Sequence, residues 1–175
     1  MPGSGKSTVG RHVARHLGLP FVDTDHEIDR RIGCSIREFF ELRGEPAFRD
    51  VEADVINEVL GGSGLPRVVA TGGGAVLREA NRHQLHRSFH VIYLRSSPED
   101  LFRRLRHDVK RPLLQVQDPL GRLRELHTAR DPLYRETAHD IVDTGRPTVA
   151  MLVNLIVMQL ELAGIAVPPP DDAPV

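Results

Sequence analysis

The sequence is poor in cysteine, lysine and tryptophan. Cys34 is the only cysteine among 175 residues, so the chain can form neither an internal disulfide nor a multi-cysteine zinc site, and it fits a reducing, cytoplasmic compartment. Lys6 and Lys110 are the only lysines among 23 basic residues, which nearly balance 24 acidic residues. The formal net charge of −1 excludes the broad basic field by which proteins attract nucleic acids or anionic membranes.

Long hydrophobic runs are also missing. The most apolar stretch, residues 149–162, is interrupted by three polar residues and is too short to span a bilayer, so we predict a packed terminal helix. The first residues lack the charged and apolar segments of a signal peptide. With hydrophobic residues at 40% and charged residues at 27%, the composition is that of a globular protein, and the length predicts one domain over residues 1–167. Three prolines and two aspartates in residues 168–175 predict a disordered tail.

Strand-like and helix-like segments alternate along the chain. Short apolar strands are predicted at residues 21–22, 67–70, 90–94 and 140–142. Amphipathic helices are predicted at residues 7–17, 36–42, 47–60, 79–86, 98–107 and 120–130. This order predicts an α/β fold with a parallel sheet that is covered by helices on both faces. The polar, proline-containing stretch 108–121 interrupts the pattern, and we expect it to be mobile.

A glycine-rich segment with one lysine opens the chain. It reads Gly3-Ser4-Gly5-Lys6-Ser7-Thr8, which matches the end of the pattern G-x-x-x-x-G-K-[ST] and precedes the first predicted helix. In such loops, backbone N–H groups and the helix N-terminus bind phosphate, the lysine reaches the β- and γ-phosphates, and the next hydroxyl binds Mg²⁺. The alternative is a glycine-serine tag before an ordinary helix, but a tag does not account for the motifs that follow.

Two carboxylates follow the first predicted strand. Asp23 and Asp25 are two residues apart, so both point the same way where extended geometry persists. One suits a Mg²⁺ shell and the other a substrate hydroxyl. Asp-Thr-Asp is also a common turn and helix-capping sequence. Its place one helix after the phosphate loop, where α/β proteins bind ligands, favours the functional interpretation.

Three glycines and several arginines carry weaker signals. Gly72-Gly73-Gly74 follows the strand at 67–70 and exposes backbone N–H groups to a small ligand, whereas a simple turn needs fewer glycines. Arg49 and Arg135 have no signal of their own, because most arginines lie on solvated surfaces. The basic pair Lys110-Arg111 lies in the stretch expected to be mobile, where a lid would carry a cation onto a phosphoryl group. We assign no metal site to the nine histidines.

Taken together, these segments resemble the shikimate kinase family. The matching segments are Gly3-Ser4-Gly5-Lys6-Ser7-Thr8, Asp23-Thr24-Asp25, Gly44-Glu45 with Phe48-Arg49, Thr71-Gly72-Gly73-Gly74-Ala75, Arg111-Pro112-Leu113-Leu114, Arg130-Asp131-Pro132-Leu133-Tyr134-Arg135 and Asp143-Thr144-Gly145-Arg146-Pro147. The resemblance implies one kinase domain with a P-loop fold like that of nucleoside-monophosphate kinases and a five-stranded parallel sheet. It also implies transfer of the γ-phosphoryl group of ATP to the 3-hydroxyl of shikimate, a step of aromatic amino-acid biosynthesis.

For the nucleotide, the resemblance implies a site at the start of the chain. Lys6 would stabilise charge on the transferring phosphoryl group, and Ser7 and Asp23 would hold one Mg²⁺ ion, Asp23 through water. Arg111 would move in with a lid over residues 108–121. Nucleotide contacts would come from Gly3, Ser4, Gly5, Lys6, Ser7, Thr8, Arg104, Arg111 and Arg146, with Arg104 and Arg146 beside adenine.

For shikimate, the resemblance implies a pocket built around one carboxylate and two cations. Asp25 would bind the substrate hydroxyls and would orient or deprotonate the attacking one. Arg49 and Arg135 would clamp the substrate carboxylate, since two guanidinium groups match its geometry. The pocket would be completed by backbone contacts from Gly72, Gly73 and Gly74 and shaped by Phe40, Phe48 and Glu52.

The beginning of the sequence departs from the family pattern. Family members have a strand and a further glycine before this point, so we expect Met1 to be an internal methionine of a longer chain. A sheet without that central strand would have unpaired edges and an unanchored phosphate loop. Two alternatives stay open: a related small-metabolite kinase such as a gluconate kinase, and a fragment that binds ATP without turnover. We expect a monomer that has no nucleic-acid or membrane partner.

Overall fold

The computed structural model describes residues 1–62, 64–106 and 116–165. The helices are α1 (Lys6–His16), α2 (Thr24–Ile32), α3 (Ile36–Gly61), α4 (Glu79–Ser88), α5 (Pro98–Leu105), α6 (Pro119–Thr137) and α7 (Val149–Leu162). The strands are β1 (Phe21–Asp23), β2 (Val68–Ala70), β3 (Ile92–Arg95) and β4 (Asp140–Asp143), and a 3₁₀ turn covers Ala75–Leu77. Arg111, most of the predicted lid and the tail 168–175 lie outside the described residues.

The four strands form two parallel pairs. β1 pairs with β2, with Phe21 opposite Val68 and Asp23 opposite Ala70. β3 pairs with β4 in the same parallel sense. The strands and the helices between them confirm the predicted α/β class. Within the described ranges no ladder joins β2 to β3, which is consistent with the expectation of unpaired edges in the middle of the sheet.

Helices cover both faces of the β3–β4 pair. Neighbouring residues of a strand point to opposite faces, and accordingly Leu94 packs with α1 and α7 whereas Tyr93 packs with α5 and α6. Leu101 and Leu123 on that second face are fully buried. No helix in the described part of the chain has the length and apolarity needed to cross a membrane.

An apolar cavity of about 490 Å³ lies between the two strand pairs. Its walls come from β2, β3, α1 and α7, and it reaches the phosphate loop at Lys6 and the glycine segment at Gly73. Met1 lies against it and is buried. Within the phosphate loop, the Met1 carbonyl accepts hydrogen bonds from Ser4 Oγ at 3.0 Å and Lys6 Nζ at 2.9 Å. These bonds fix the shape of the loop, and they do not join it to a strand.

Most predicted elements are present, and three differ from the prediction. No helix is predicted at Thr24–Ile32, yet one forms there, and the Asp23 side chain caps it by accepting a hydrogen bond from the Asp25 N–H. The helices predicted at 36–42 and 47–60 form one range that is kinked at Gly44, where φ is 76°. The helix predicted to end at residue 130 continues through Pro132 to Thr137.

Three histidine rings stack at the end of the sheet where β3 and β4 begin. The ring centroids of His86 and His139 are 4.0 Å apart, and those of His90 and His139 are 4.9 Å apart. The Nδ1 atom of His139 accepts a hydrogen bond from the Val91 N–H at 3.0 Å, so this nitrogen must be unprotonated. Burial, together with the positive charge that His86 and His90 can carry, lowers the pKa of His139, and Asp140 opposes that shift.

This arrangement predicts a loss of stability in mild acid. A histidine with a lowered pKa in the fold takes up its proton more readily when the chain is unfolded, so stability falls as the pH drops below the unfolded-state value of about 6.5. His139→Asn keeps an acceptor near the Nδ1 position and cannot titrate. We expect the melting temperature of the unsubstituted protein to fall further than that of His139→Asn between about pH 7.5 and about pH 5.5. Equal decreases would contradict this role.

Candidate active site

The glycine-rich segment at the start of the chain forms a loop that leads directly into α1. Gly3 and Gly5 have φ values of 75° and 89°, so successive backbone N–H groups turn inward ahead of the helix N-terminus, which favours anions. Burial, with Lys6 and Arg130 nearby, lowers the pKa of the Met1 α-amino group well below its ordinary value. Lys6 and Arg130 therefore both lie near the loop, and two nearby cations suit the binding of phosphate.

Ser7 and Asp23 lie together beside this loop. The Ser7 hydroxyl donates to Asp23 Oδ2 at 2.6 Å, although the two residues are 16 positions apart. The other oxygen of Asp23 accepts from the Asp25 N–H and caps α2, so the capping role that the sequence allowed is present beside the contact with Ser7. Hydroxyl and carboxylate oxygens are the donors that Mg²⁺ prefers, and the pair therefore fits a Mg²⁺ site.

Asp25 lies against the glycine segment that follows β2. A Cβ atom placed on Gly72 would be 2.5 Å from Asp25 Oδ1 and 3.1 Å from Glu52 Oε1, so these carboxylates can come this close only to a glycine. The Gly72 N–H donates to the buried hydroxyl of Thr24 at 3.1 Å. This bond joins the start of α2 to the glycine segment and holds Asp25 beside it.

Arg49 approaches the same segment from α3. A Cβ on Gly74 would lie 2.0 Å from Arg49 Nη1. The guanidinium donates to Glu52 at 2.6 Å and, through Nε and Nη2, to Glu45, and its Cζ lies 5.2 Å from the ring centre of Phe48. Arg49 is 13% exposed and Glu52 is 2% exposed. Burial opposes its charge, but the two glutamates raise the pKa of Arg49, so it stays a cation.

Glu52 is the buried ion-pair partner of Arg49. Burial raises the pKa of the Glu52 carboxyl, and the hydrogen bond and charge of Arg49 oppose that shift. Phe40 packs its ring 4.4 Å from that of Phe48, and the Arg49 guanidinium lies over both rings. The three residues expected to shape the pocket therefore all contact Arg49.

The second cation at the glycine segment is Arg130. Its Nη1 donates to the Gly73 carbonyl at 3.2 Å, and the Tyr134 hydroxyl donates to the same oxygen at 2.6 Å. The charge of Arg130 also acts on Glu52. Arg130 on α6 and Arg49 on α3 therefore approach neighbouring glycines of one short segment.

Arg135, which we predicted as the partner of Arg49, lies elsewhere on α6. Its Nε donates to Asp131 at 2.6 Å, and Asp131 also accepts from the Tyr93 hydroxyl at 3.0 Å. The Arg135 side chain is 45% exposed. No described contact joins Arg135 to Arg49 or to the glycine segment.

Arg130 could have been found from helical spacing. Leu123, Leu126 and Tyr134 are buried on α6, and Arg130 lies four residues after Leu126 and four before Tyr134, on the same face. The helix predicted at residues 120–130 ends before Tyr134, which completes this spacing. Thr24 and Tyr134 were also not predicted as site residues. Their roles depend on contacts with Gly72 and Gly73, which are distant in sequence and leave no local pattern.

On the nucleotide side, Arg104 contacts the loop that follows β4. Its guanidinium donates to the carbonyl of Thr144 and to the Thr144 hydroxyl, two residues before Arg146. Arg104 is thereby joined to the loop that carries Arg146, the other arginine predicted beside adenine. Thr8 is exposed in the first turn of α1, and Arg111 lies outside the described residues.

Comparison with known sequences identifies close relatives. A family model for shikimate kinase matches residues 2–161. A shikimate kinase of Paracidovorax citrulli is 59% identical over 97% of this chain and 93% of its own length. A shikimate kinase of Ralstonia nicotianae is 57% identical over 98% of this chain and 90% of its own length.

Solved structures agree with the sequence relatives. A shikimate kinase from Acinetobacter baumannii in complex with shikimate has a TM-score of 0.85 and 44% identity, over 93% of this chain and 89% of that one. A shikimate kinase from Bacteroides thetaiotaomicron has a TM-score of 0.81 and 30% identity, over 93% of this chain and 94% of that one. The family match, the relatives and the geometry of the phosphate loop lead to one conclusion: this chain belongs to the shikimate kinase family.

Proposed function

We propose that this chain transfers the γ-phosphoryl group of ATP to the 3-hydroxyl of shikimate. The bond between the γ-phosphorus and the bridging oxygen of ADP breaks, a bond to the shikimate oxygen forms, and the hydroxyl proton leaves. The observation that carries the proposal is the approach of Asp25, Arg49 and Arg130 to one glycine segment, next to a phosphate loop. We place the reaction in the cytoplasm and assign it to a monomer.

The chain's own groups act mainly by position and charge. Lys6 supplies positive charge beside the transferring phosphoryl group, where charge stabilisation contributes most of the rate of such reactions. Asp25 holds the attacking hydroxyl and accepts its proton or directs it outward. Arg104 and Arg146 flank the nucleotide base, and Arg111 adds a cation from its segment when the site closes.

We assign one Mg²⁺ ion to Ser7 and Asp23. The two oxygens are already adjacent, at 2.6 Å, and both are donors of the kind that this ion prefers. When bound, Mg²⁺ supplies positive charge to the nucleotide phosphates. Ser7 and Asp23 keep that charge at the start of α1, next to Lys6.

Arg49 and Arg130 form the carboxylate clamp in this proposal, and Arg130 replaces Arg135. A guanidinium has five N–H donors, and three of those of Arg49 are engaged by Glu45 and Glu52. Two are left for a substrate carboxylate. The glutamates fix the direction of the side chain before substrate arrives, so little further ordering is needed on binding.

The proposal is tested by ADP release from the purified chain with ATP, Mg²⁺ and either shikimate or gluconate. We expect release with shikimate alone. Release with gluconate would assign the chain to another small-metabolite kinase activity. If nucleotide binds, as measured by calorimetry, and neither alcohol supports turnover, the chain binds ATP without catalysis.

Replacing Asp25 tests its part in the chemistry. Asp25→Asn keeps the shape and removes the charge and the proton acceptor, so we expect kcat to fall by about 10²- to 10⁴-fold, the usual contribution of such a group. Asp54→Asn, on an exposed carboxylate of α3, is the control and should keep the original kcat. Activity retained by Asp25→Asn would remove this carboxylate from the mechanism.

A matched pair on α6 decides which arginine binds the substrate carboxylate. Arg130→Gln loses a charge-assisted contact, so the KM for shikimate should rise by at least about tenfold. Arg135→Gln loses an exposed pair with Asp131, so its KM should stay within about threefold. The opposite order of effects would restore Arg135 to the clamp.

A further inference from the structure

The Gly73 carbonyl is held by two donors from α6. Tyr134 donates its hydroxyl at 2.6 Å, and Arg130 donates from Nη1 at 3.2 Å. If Arg130 binds substrate, as proposed above, some of its N–H donors form hydrogen bonds with the substrate. The Tyr134 hydroxyl also interacts with the Arg130 side chain, but it has no part in binding substrate in this proposal, so its bond to the Gly73 carbonyl is kept when substrate is bound.

Tyr134 is itself rigidly placed. It is buried, and its ring stacks on that of Tyr93 with centroids 4.8 Å apart. Burial raises the pKa of Tyr134 above its ordinary value, so the phenol remains a proton donor throughout the physiological pH range. Helix α6 continues through Pro132 and so carries both Arg130 and Tyr134 on one face.

The bond from Tyr134 sets the orientation of a whole peptide plane. In a trans peptide the C=O and the following N–H point in opposite directions, and no cis peptide occurs in the described ranges. Because the Gly73 carbonyl points to α6, the Gly74 N–H must point away from α6. At the start of the segment, the Gly72 N–H is held by Thr24. Thr24 does not contact the Gly73–Gly74 peptide, and Tyr134 determines the orientation of that peptide.

We propose that Tyr134 is a positioning residue for the alcohol substrate. Its hydroxyl fixes the Gly73–Gly74 peptide so that the Gly74 N–H faces the bound substrate beside Arg49. It does this without touching the reacting atoms. The substrate part of this inference rests on the proposed function, whereas the ordering of the glycine segment does not.

The test compares two identical chemical changes in one ring stack. Tyr134→Phe keeps the ring and removes the bond to Gly73, so we expect the KM for shikimate to rise by about three- to tenfold, the range for one hydrogen bond. The kcat and the KM for ATP should change less than about twofold, because the bond orients a binding contact. Tyr93→Phe removes a hydroxyl that contacts Asp131 and not the glycines, so its KM for shikimate should stay within about twofold.

Hydrogen exchange of the free protein gives a readout that needs no turnover. Amides of residues 72–75 should exchange faster in Tyr134→Phe than in the unsubstituted chain, while those in Tyr93→Phe should not. Equal changes of KM or of exchange in both variants, or no change in Tyr134→Phe, would overturn the proposal. If the unsubstituted chain does not phosphorylate shikimate, the proposed function fails and the exchange result still decides whether Tyr134 orders the segment.

Discussion

The parallel register of β1 and β2 determines where the candidate catalytic groups lie. Because Asp23 is opposite Ala70, both strands end at the same edge, and the chain continues from one into α2 and from the other into the glycine segment. The buried bond from the Gly72 N–H to Thr24 Oγ1 joins the two continuations. A slip of one residue would turn Asp23 to the opposite face and separate it from Ser7. The positions of the candidate metal ligands and of the proposed substrate contacts therefore depend on a ladder of three residue pairs.

Arg49 is paired with two glutamates and still has N–H groups left for a substrate carboxylate. Glu45 and Glu52 orient Arg49, and burial holds Glu52 in a fixed position, so the guanidinium is pre-ordered and not neutralised by mobile counter-ions. Around the phosphate loop, Lys6 and Arg130 place two cations close together. The charged side chains that would meet an anionic nucleotide and an anionic substrate are thus already in position before either ligand binds.

The sequence alone was enough for the parts of the fold that are governed by local rules. The phosphate loop, the four strands and the terminal helix all followed from glycine placement and apolar spacing. Helix α2 was missed because Ile28 and Ile32 are its only large apolar residues, which is too few for a periodic signal. The approach of Arg49 to Gly74 was not predictable from its neighbours, because it depends on the kink at Gly44 and on packing between separate helices. Arg130 was not predicted as a site residue because the helix predicted there ends at residue 130, and only Tyr134, beyond that end, completes the spacing that places Arg130 on the buried face.

The cavity between β2 and β3 should make the stability of this fold sensitive to hydrostatic pressure. Where adjacent strands would fill space with backbone and side chains, there is instead a partly open cavity of about 490 Å³ with mostly apolar walls, which offer water few hydrogen bonds. Unfolding under hydrostatic pressure is driven by the removal of internal voids, and the volume change scales with the void that disappears. The two halves of the sheet, joined through helices α1 and α7 and not through a ladder, should therefore yield to pressure sooner than their resistance to heat would suggest.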